Sequence, residues 1–260
     1  MLTEFFEKLP LDIHSPLKAG TTFINHLRLR PTMTRREQKT SVLPAAARRK
    51  WSKRQSLPWI VALTAIGFMF RIFALGTQSY WIDEAFSINA ALAILEHGIP
   101  LLDSGLLYTR SLLFHYPLAG LIGLFGLTEW STRIISVLFG TAFIPLIYHF
   151  TRRIADHKVG LTAAILWTFF TLGIAWSRQA RMYMMLTFLV YLALFFFLRF
   201  LQDGNKRDIL YCALASAAAI LTHKQGWALP LIFAAYLPFH YLPLLKHPRR
   251  ILKLVKANAP

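Results

Sequence analysis

The chain has 260 residues, 55% of them hydrophobic, and a mean hydropathy of +0.45. Several apolar runs approach the roughly 20 residues that cross a bilayer core, which excludes a single soluble domain. The formal charge of +17 fits Lys and Arg held on one side of a membrane better than a nucleic-acid partner, and the one cysteine, Cys212, excludes an intramolecular disulfide.

Residues 1–57 are basic, weakly periodic and interrupted by Pro10, Pro16, Pro31 and Pro44, the pattern of a mostly disordered cytoplasmic tail. Their apolar content starts too late for a signal peptide. The first span is expected over 58–76. It is led by Arg48, Arg49, Lys50, Lys53 and Arg54, so it should run outward, with Arg71 snorkelling at its outer end.

The segment 77–132 carries Asp83, Glu84, Glu96, Asp103 and Glu129 against Arg110 alone. An amphipathic helix is expected from about residue 83 to 96, ended by Gly98 and Pro100. The apolar run 111–126, broken by Tyr116-Pro117, Gly120 and Gly123, is short for a crossing. Further spans are expected at 133–150, 159–176, 182–200 and 226–244, with a weaker one at 208–222. Residues 246–260 form a closing basic stretch.

Whether 111–126 crosses sets the side of everything after it. If it does not, the inside loops hold eleven basic residues: Arg152, Arg153, Lys158, Arg199, Lys206, Arg207, Lys246, Arg249, Arg250, Lys253 and Lys256. The outside then holds five: Arg110, Arg133, Arg178, Arg181 and Lys224. The positive-inside rule favours that arrangement, with 111–126 as an outer-face or re-entrant helix. The expected fold is therefore an all-α polytopic membrane protein of about six transmembrane helices plus outer-face juxtamembrane helices, both ends cytoplasmic.

This topology gathers Asp83, Glu84, Tyr108, Arg110, His115, Arg133, Arg178, Arg181, Tyr183, His223 and Lys224 on the outer face. Each has a plain structural reading. Asp83 and Glu84 would favour the dipole of a helix start. Arg178 and Arg181, three apart, would anchor a span; His223 and Lys224 would make a polar turn. Arg110 and Arg133 would partner Glu96, Asp103 or Glu129, and His115 would be an ordinary interfacial residue. Together, cations and carboxylates are what is needed to handle a phosphate leaving group beside a base. A metal on Asp83 and Glu84 has too few oxygen ligands to be required, and no cofactor is needed.

The order of motifs is the second line of reasoning. Ser79-Tyr80-Trp81-Ile82-Asp83-Glu84-Ala85 closes the first span, followed by Glu96-His97-Gly98, Leu107-Tyr108-Thr109-Arg110, and His115-Tyr116-Pro117-Leu118. Then come Leu124-Phe125-Gly126-Leu127-Thr128-Glu129 with Arg133, Tyr148-His149-Phe150-Thr151-Arg152-Arg153, Ser177-Arg178-Gln179-Ala180-Arg181-Met182-Tyr183, and Leu221-Thr222-His223-Lys224-Gln225-Gly226. Over about 57–245 the chain resembles the C-type (GT-C) membrane glycosyltransferases. That superfamily includes protein O-mannosyltransferases, aminoarabinose transferases of lipid A and a rhizobial galacturonosyltransferase-like domain.

The resemblance implies a multi-pass enzyme of the plasma membrane, expected to be bacterial, with its active face periplasmic or extracellular. Its partners would be the bilayer, a polyprenyl-phosphate-linked sugar, and a glycan, lipid or protein hydroxyl acceptor. It implies Asp83 as the catalytic carboxylate with Glu84 beside it, and Arg178, Arg181 and Lys224 as donor-phosphate ligands. Tyr108, Arg110, Tyr183 and His223 become further substrate contacts. Many relatives carry an Asp shortly after the Arg178 position, where this chain has Met184 and Met185. Family members are longer, so the expectation is the N-terminal half of such an enzyme. The competing classes are a transporter or flippase-like protein, for which no internal repeat is present, and a non-catalytic membrane subunit.

Overall fold

The computed structural model describes the backbone of residues 53–245 and the side chains of 56–238. Most of the expected basic tail and all of the closing basic stretch lie outside these residues. The described chain is helical: α1 (Lys53–Ile72), α2 (Ile82–His97), α3 (Leu112–Phe125), α4 (Glu129–Ile154), α5 (His157–Phe169), α6 (Thr171–Ser177), α7 (Tyr183–Asp203), α8 (Lys206–Thr222), a 3-10 turn (Lys224–Trp227) and α9 (Ala228–Leu245). Extended pairing among the described residues is a bridge between Leu101 and Leu107.

Local chemistry sets the ends of these elements. Gly98 stops α2 and Gly204 stops α7, at φ +75° and +68°, a conformation that costs glycine little. Thr128 starts α4 with a reciprocal cap: its hydroxyl accepts the Ser131 N–H, and Ser131 accepts the Thr128 N–H, both at 3.1 Å. Asp156 caps α5 by accepting from the N–H groups of Lys158 and Val159.

Among the described residues two helices, α4 and α7, are long and apolar enough to cross a membrane, and the α5–α6 pair makes a third if its two arms form one span. Large apolar side chains stay exposed around the bundle, Ile82 and Leu124 at 79% and Leu231 at 71% among them. A water-soluble surface carries few such groups, whereas lipid accommodates them. The described residues have the helical, apolar make-up of a membrane protein.

Two expectations are corrected. The single helix expected over 159–176 is bent by 60° at Phe170. Arg71 does not snorkel: it is fully buried at that bend. Its guanidinium donates to the Gly67 carbonyl at 2.9 Å, the Ser177 hydroxyl at 3.1 Å and the Trp167 carbonyl at 3.3 Å. At the bend Arg71 supplies a donor to one backbone carbonyl, that of Trp167, and bonds the side chain of Ser177 beyond it. Gly140 of α4 makes room, since a Cβ there would overlap the Ser177 hydroxyl.

The 111–126 run is one unbroken helix, with Pro117 tolerated in its first turns. At 14 residues it is about 21 Å long, shorter than a bilayer core of about 30 Å. Its buried face, Phe114, Leu118, Ala119 and Ile122, joins a core with Met185, Leu186 and Leu189 of α7 and Ala215 and Ala219 of α8.

Candidate functional site

The candidate site forms where the loop after α1, the start of α2, the 178–182 turn, the start of α3 and the 223–227 turn converge. Glu84 is its structural centre. The side chain is completely buried. Arg133 of α4 grips it with two parallel bonds, Nε to Oε1 and Nη2 to Oε2, both 2.9 Å. Oε1 also accepts from the Ala180 N–H at 2.7 Å, and Oε2 from the Trp81 N–H at 3.0 Å. Burial alone would raise the Glu84 pKa. Arg133 and the two backbone donors outweigh it and hold the carboxyl below the usual range.

Arg133 spends its remaining donors on the loop. Nη1 reaches the Leu75 and Gln78 carbonyls at 2.9 and 2.8 Å, and Nη2 the Ser79 carbonyl at 3.2 Å. The Glu84–Arg133 pair thus ties four separate segments into one rigid corner. Sequence reasoning offered Arg133 other acidic partners; its ion-pair partner is Glu84.

Asp83 lies one residue away and faces the other way. Its side chain is exposed, as a rotation of about 100° per residue requires when Glu84 points inward. Its backbone is held: Arg181 Nη1 donates to the Asp83 carbonyl at 2.7 Å. Arg181 is itself buried, fixed by its own carbonyl accepting from the Ser136 hydroxyl at 2.9 Å. Its guanidinium lies 5.4 Å from the centre of the Tyr183 ring. Its Nε has no hydrogen-bond partner, and among the described residues it has no carboxylate.

His223 begins the 3-10 turn, where its Nδ1 accepts from the Gln225 N–H. Its ring packs on Tyr183 with centroids 6.0 Å apart. Partial burial, then Lys224, Arg181 and Arg110, lower its pKa. The Lys224 and Arg110 side chains are exposed. Across the site, His115 is buried beside the Arg110 backbone. Tyr108 lies over it at 5.5 Å between centroids. Burial and the charge of Arg181 push the His115 pKa down to about 4, so the imidazole is neutral near pH 7. Burial lowers both histidines first, and the nearby cations, Arg181 among them, add to it, which marks a region of positive potential.

Arg178 is placed differently from Arg181. Its guanidinium caps the end of α1, donating to the Phe73 carbonyl and, at 2.9 Å, to the Ala74 carbonyl. Those donors face the negative end of a helix dipole. His115, given little weight as an interfacial residue, is part of the assembly. Its place on the buried face shared by Phe114, Leu118 and Ile122 was the available signal. Among the described residues no group of three or more His, Cys, Asp or Glu is placed to hold a metal.

Comparison with known proteins adds one positive finding. The sequence model of the dolichyl-phosphate-mannose-protein mannosyltransferase family matches residues 109–257, more than half of the 260-residue chain. No curated protein and no solved structure matches it. The matched stretch contains Arg110, His115, Arg133, Arg178, Arg181, Tyr183, His223 and Lys224. Asp83 and Glu84 precede it, but Glu84 is bonded to Arg133 and Ala180 inside it. The chain belongs to this family of membrane glycosyltransferases.

Proposed function

We propose that the protein transfers a sugar from a polyprenyl-phosphate donor to a hydroxyl acceptor at the outer face of its membrane, with inversion at the anomeric carbon. The observation that carries this is the Arg181–Asp83 contact. One bond of 2.7 Å, from Arg181 Nη1 to the Asp83 backbone carbonyl, ties the residue that carries an exposed carboxylate to a buried cation with no acidic partner among the described residues. The backbone that presents the base is thereby fixed to the phosphate ligand, and positioning of this kind is what group transfer from a phosphate needs.

In this reading Asp83 takes the proton from the acceptor hydroxyl as the acceptor oxygen bonds to the anomeric carbon. The bond from that carbon to the phosphate oxygen breaks on the opposite face, and its electron pair leaves with the polyprenyl phosphate. Arg181, Lys224 and Arg110 stabilise the departing charge. A phosphate is already a good leaving group beside cations, so no general acid is required. Tyr108, Tyr183 and the neutral His223 shape the surrounding wall. Glu84 and Arg178 are positioning residues. Glu84 fixes the helix that presents Asp83, and Arg178 fixes the end of α1.

We place the donor side on the periplasmic or extracellular face of a bacterial plasma membrane, with about six spans and both chain ends cytoplasmic, following the eleven-to-five distribution of basic residues. The test is an assay on membranes expressing the protein, with radiolabelled dolichyl-phosphate mannose as the probe donor. Label should leave the polyprenyl phosphate and appear on a different molecule, whether glycan, lipid or protein, separated from the donor by chromatography. Label that stays on the polyprenyl phosphate, or crosses the bilayer unreacted, would refute a transferase and favour a transporter.

A further inference from the structure

A second site lies at the opposite end of α1 from the Asp83 corner. A groove of about 760 Å³ runs between α1 and α4, walled by Leu57, Val61 and Phe68 on one side and Pro145 and Tyr148 on the other, with Arg152 at one end. From Leu57 to Phe68 is eleven helical residues, about 16 Å. That is close to half of a bilayer core of about 30 Å, the depth of one leaflet. The groove is therefore about one leaflet deep, mostly apolar with Thr64, Thr141 and His149 in its lining, and charged at the end where a headgroup would lie.

The charge at that end is selective. Three arginines cluster near the ends of α4 and α7. Arg153 pairs with Asp203, and Arg199 pairs with Asp208 at 3.3 Å. Arg152 has no acidic partner among the described residues. It rests over the Tyr148 ring, 5.5 Å from its centre, and Tyr148 is itself a wall of the groove. A cation anchored on the groove wall and left without an internal counter-ion is complementary to an anionic headgroup.

We infer that this groove binds one acyl chain of an anionic phospholipid, with its headgroup at Arg152. The site is separate from the proposed sugar-donor site. It also does not depend on which leaflet faces the cytoplasm, because depth and charge are set by α1 and α4 alone.

The experiment uses the full chain in nanodiscs and two photoactivatable lipids with a diazirine on the same acyl chain, phosphatidylglycerol and phosphatidylcholine. Cross-links should map to α1 and α4 peptides containing Val61 and Pro145. Phosphatidylglycerol should label about fivefold more than phosphatidylcholine, the factor expected for one basic residue at a headgroup. Arg152→Gln should erase that preference while leaving some labelling. Val61→Trp, a change at an exposed position of the wall, should reduce labelling by both lipids. Equal labelling by the two lipids in the wild type, or an unchanged preference in Arg152→Gln, would overturn the inference. So would cross-linking of Val61→Cys to a second copy, or to the chain's own first fifty residues, in place of lipid labelling.

Discussion

Arg133 holds Glu84 by two bonds of 2.9 Å in a site where neither side chain meets solvent. The pair spans 49 residues of sequence and joins α4 to the start of α2. Removing one partner would strand the other as an unpaired buried charge, at a cost of about 3–5 kcal/mol. Glu84→Gln should therefore lower the melting temperature in detergent strongly. Glu84→Gln combined with Arg133→Met should recover part of the loss, since it removes both charges. The Glu84 carboxyl is held below its ordinary range. Its stabilisation is complete above the unfolded value of about 4.3 and is lost as pH falls below that toward the folded pKa. Wild type should lose stability across that acid window, and Glu84→Gln should lose less there; equal acid slopes would remove Glu84 as the source.

The bend at Phe170 offers a second test. A Cβ at position 140 would overlap the Ser177 hydroxyl and lie 3.2 Å from Arg71 Nε. Gly140→Ala should destabilise the bundle by about 1–3 kcal/mol through overpacking, read as a lower melting temperature. A neutral result would mean that α4 and the bend do not pack as described.

The two arginines of the 178–182 turn should behave differently. Arg181→Ala and Lys224→Ala should each weaken binding of the proposed polyprenyl-phosphate sugar donor about tenfold or more, since charge-assisted bonds contribute about 1.5–3 kcal/mol. Arg178→Ala should lower stability while leaving donor affinity per folded molecule nearly unchanged, because its donors bind helix-end carbonyls. A tenfold affinity loss confined to Arg178→Ala would return that residue to the phosphate.

Orientation can be read by thiol labelling in intact cells. Ser104→Cys, in the segment after α2, should react with a membrane-impermeant reagent, and Asn205→Cys, between α7 and α8, should not. The reverse pattern would invert the topology.

The sequence made much of this visible, for definable reasons. Helix stops at Gly98 and Gly204 are written locally, and apolar length marks α4 and α7. The residues expected on the outer face drew notice because charge is costly near lipid. Long-range partners were not visible. Nothing near Glu84 in sequence says that its partner is Arg133 rather than Arg110, or that Asp83 would be the acid left exposed. The bend at Phe170 has no proline to announce it, so Arg71 looked like a helix-end residue and not the group that satisfies the bend. Arg178 and Arg181 look equivalent at a spacing of three, yet one caps α1 and the other touches Asp83.

The central claim is that Asp83 is the base, and Asp83→Asn tests it most directly. The change preserves size, removes basicity, and leaves the backbone carbonyl that Arg181 binds. Turnover of the proposed polyprenyl-phosphate sugar donor should fall about 100-fold or more while its binding affinity stays close to wild type. Near wild-type turnover in folded Asp83→Asn would contradict the account, leaving Asp83 as a helix-start residue and the base to be sought elsewhere.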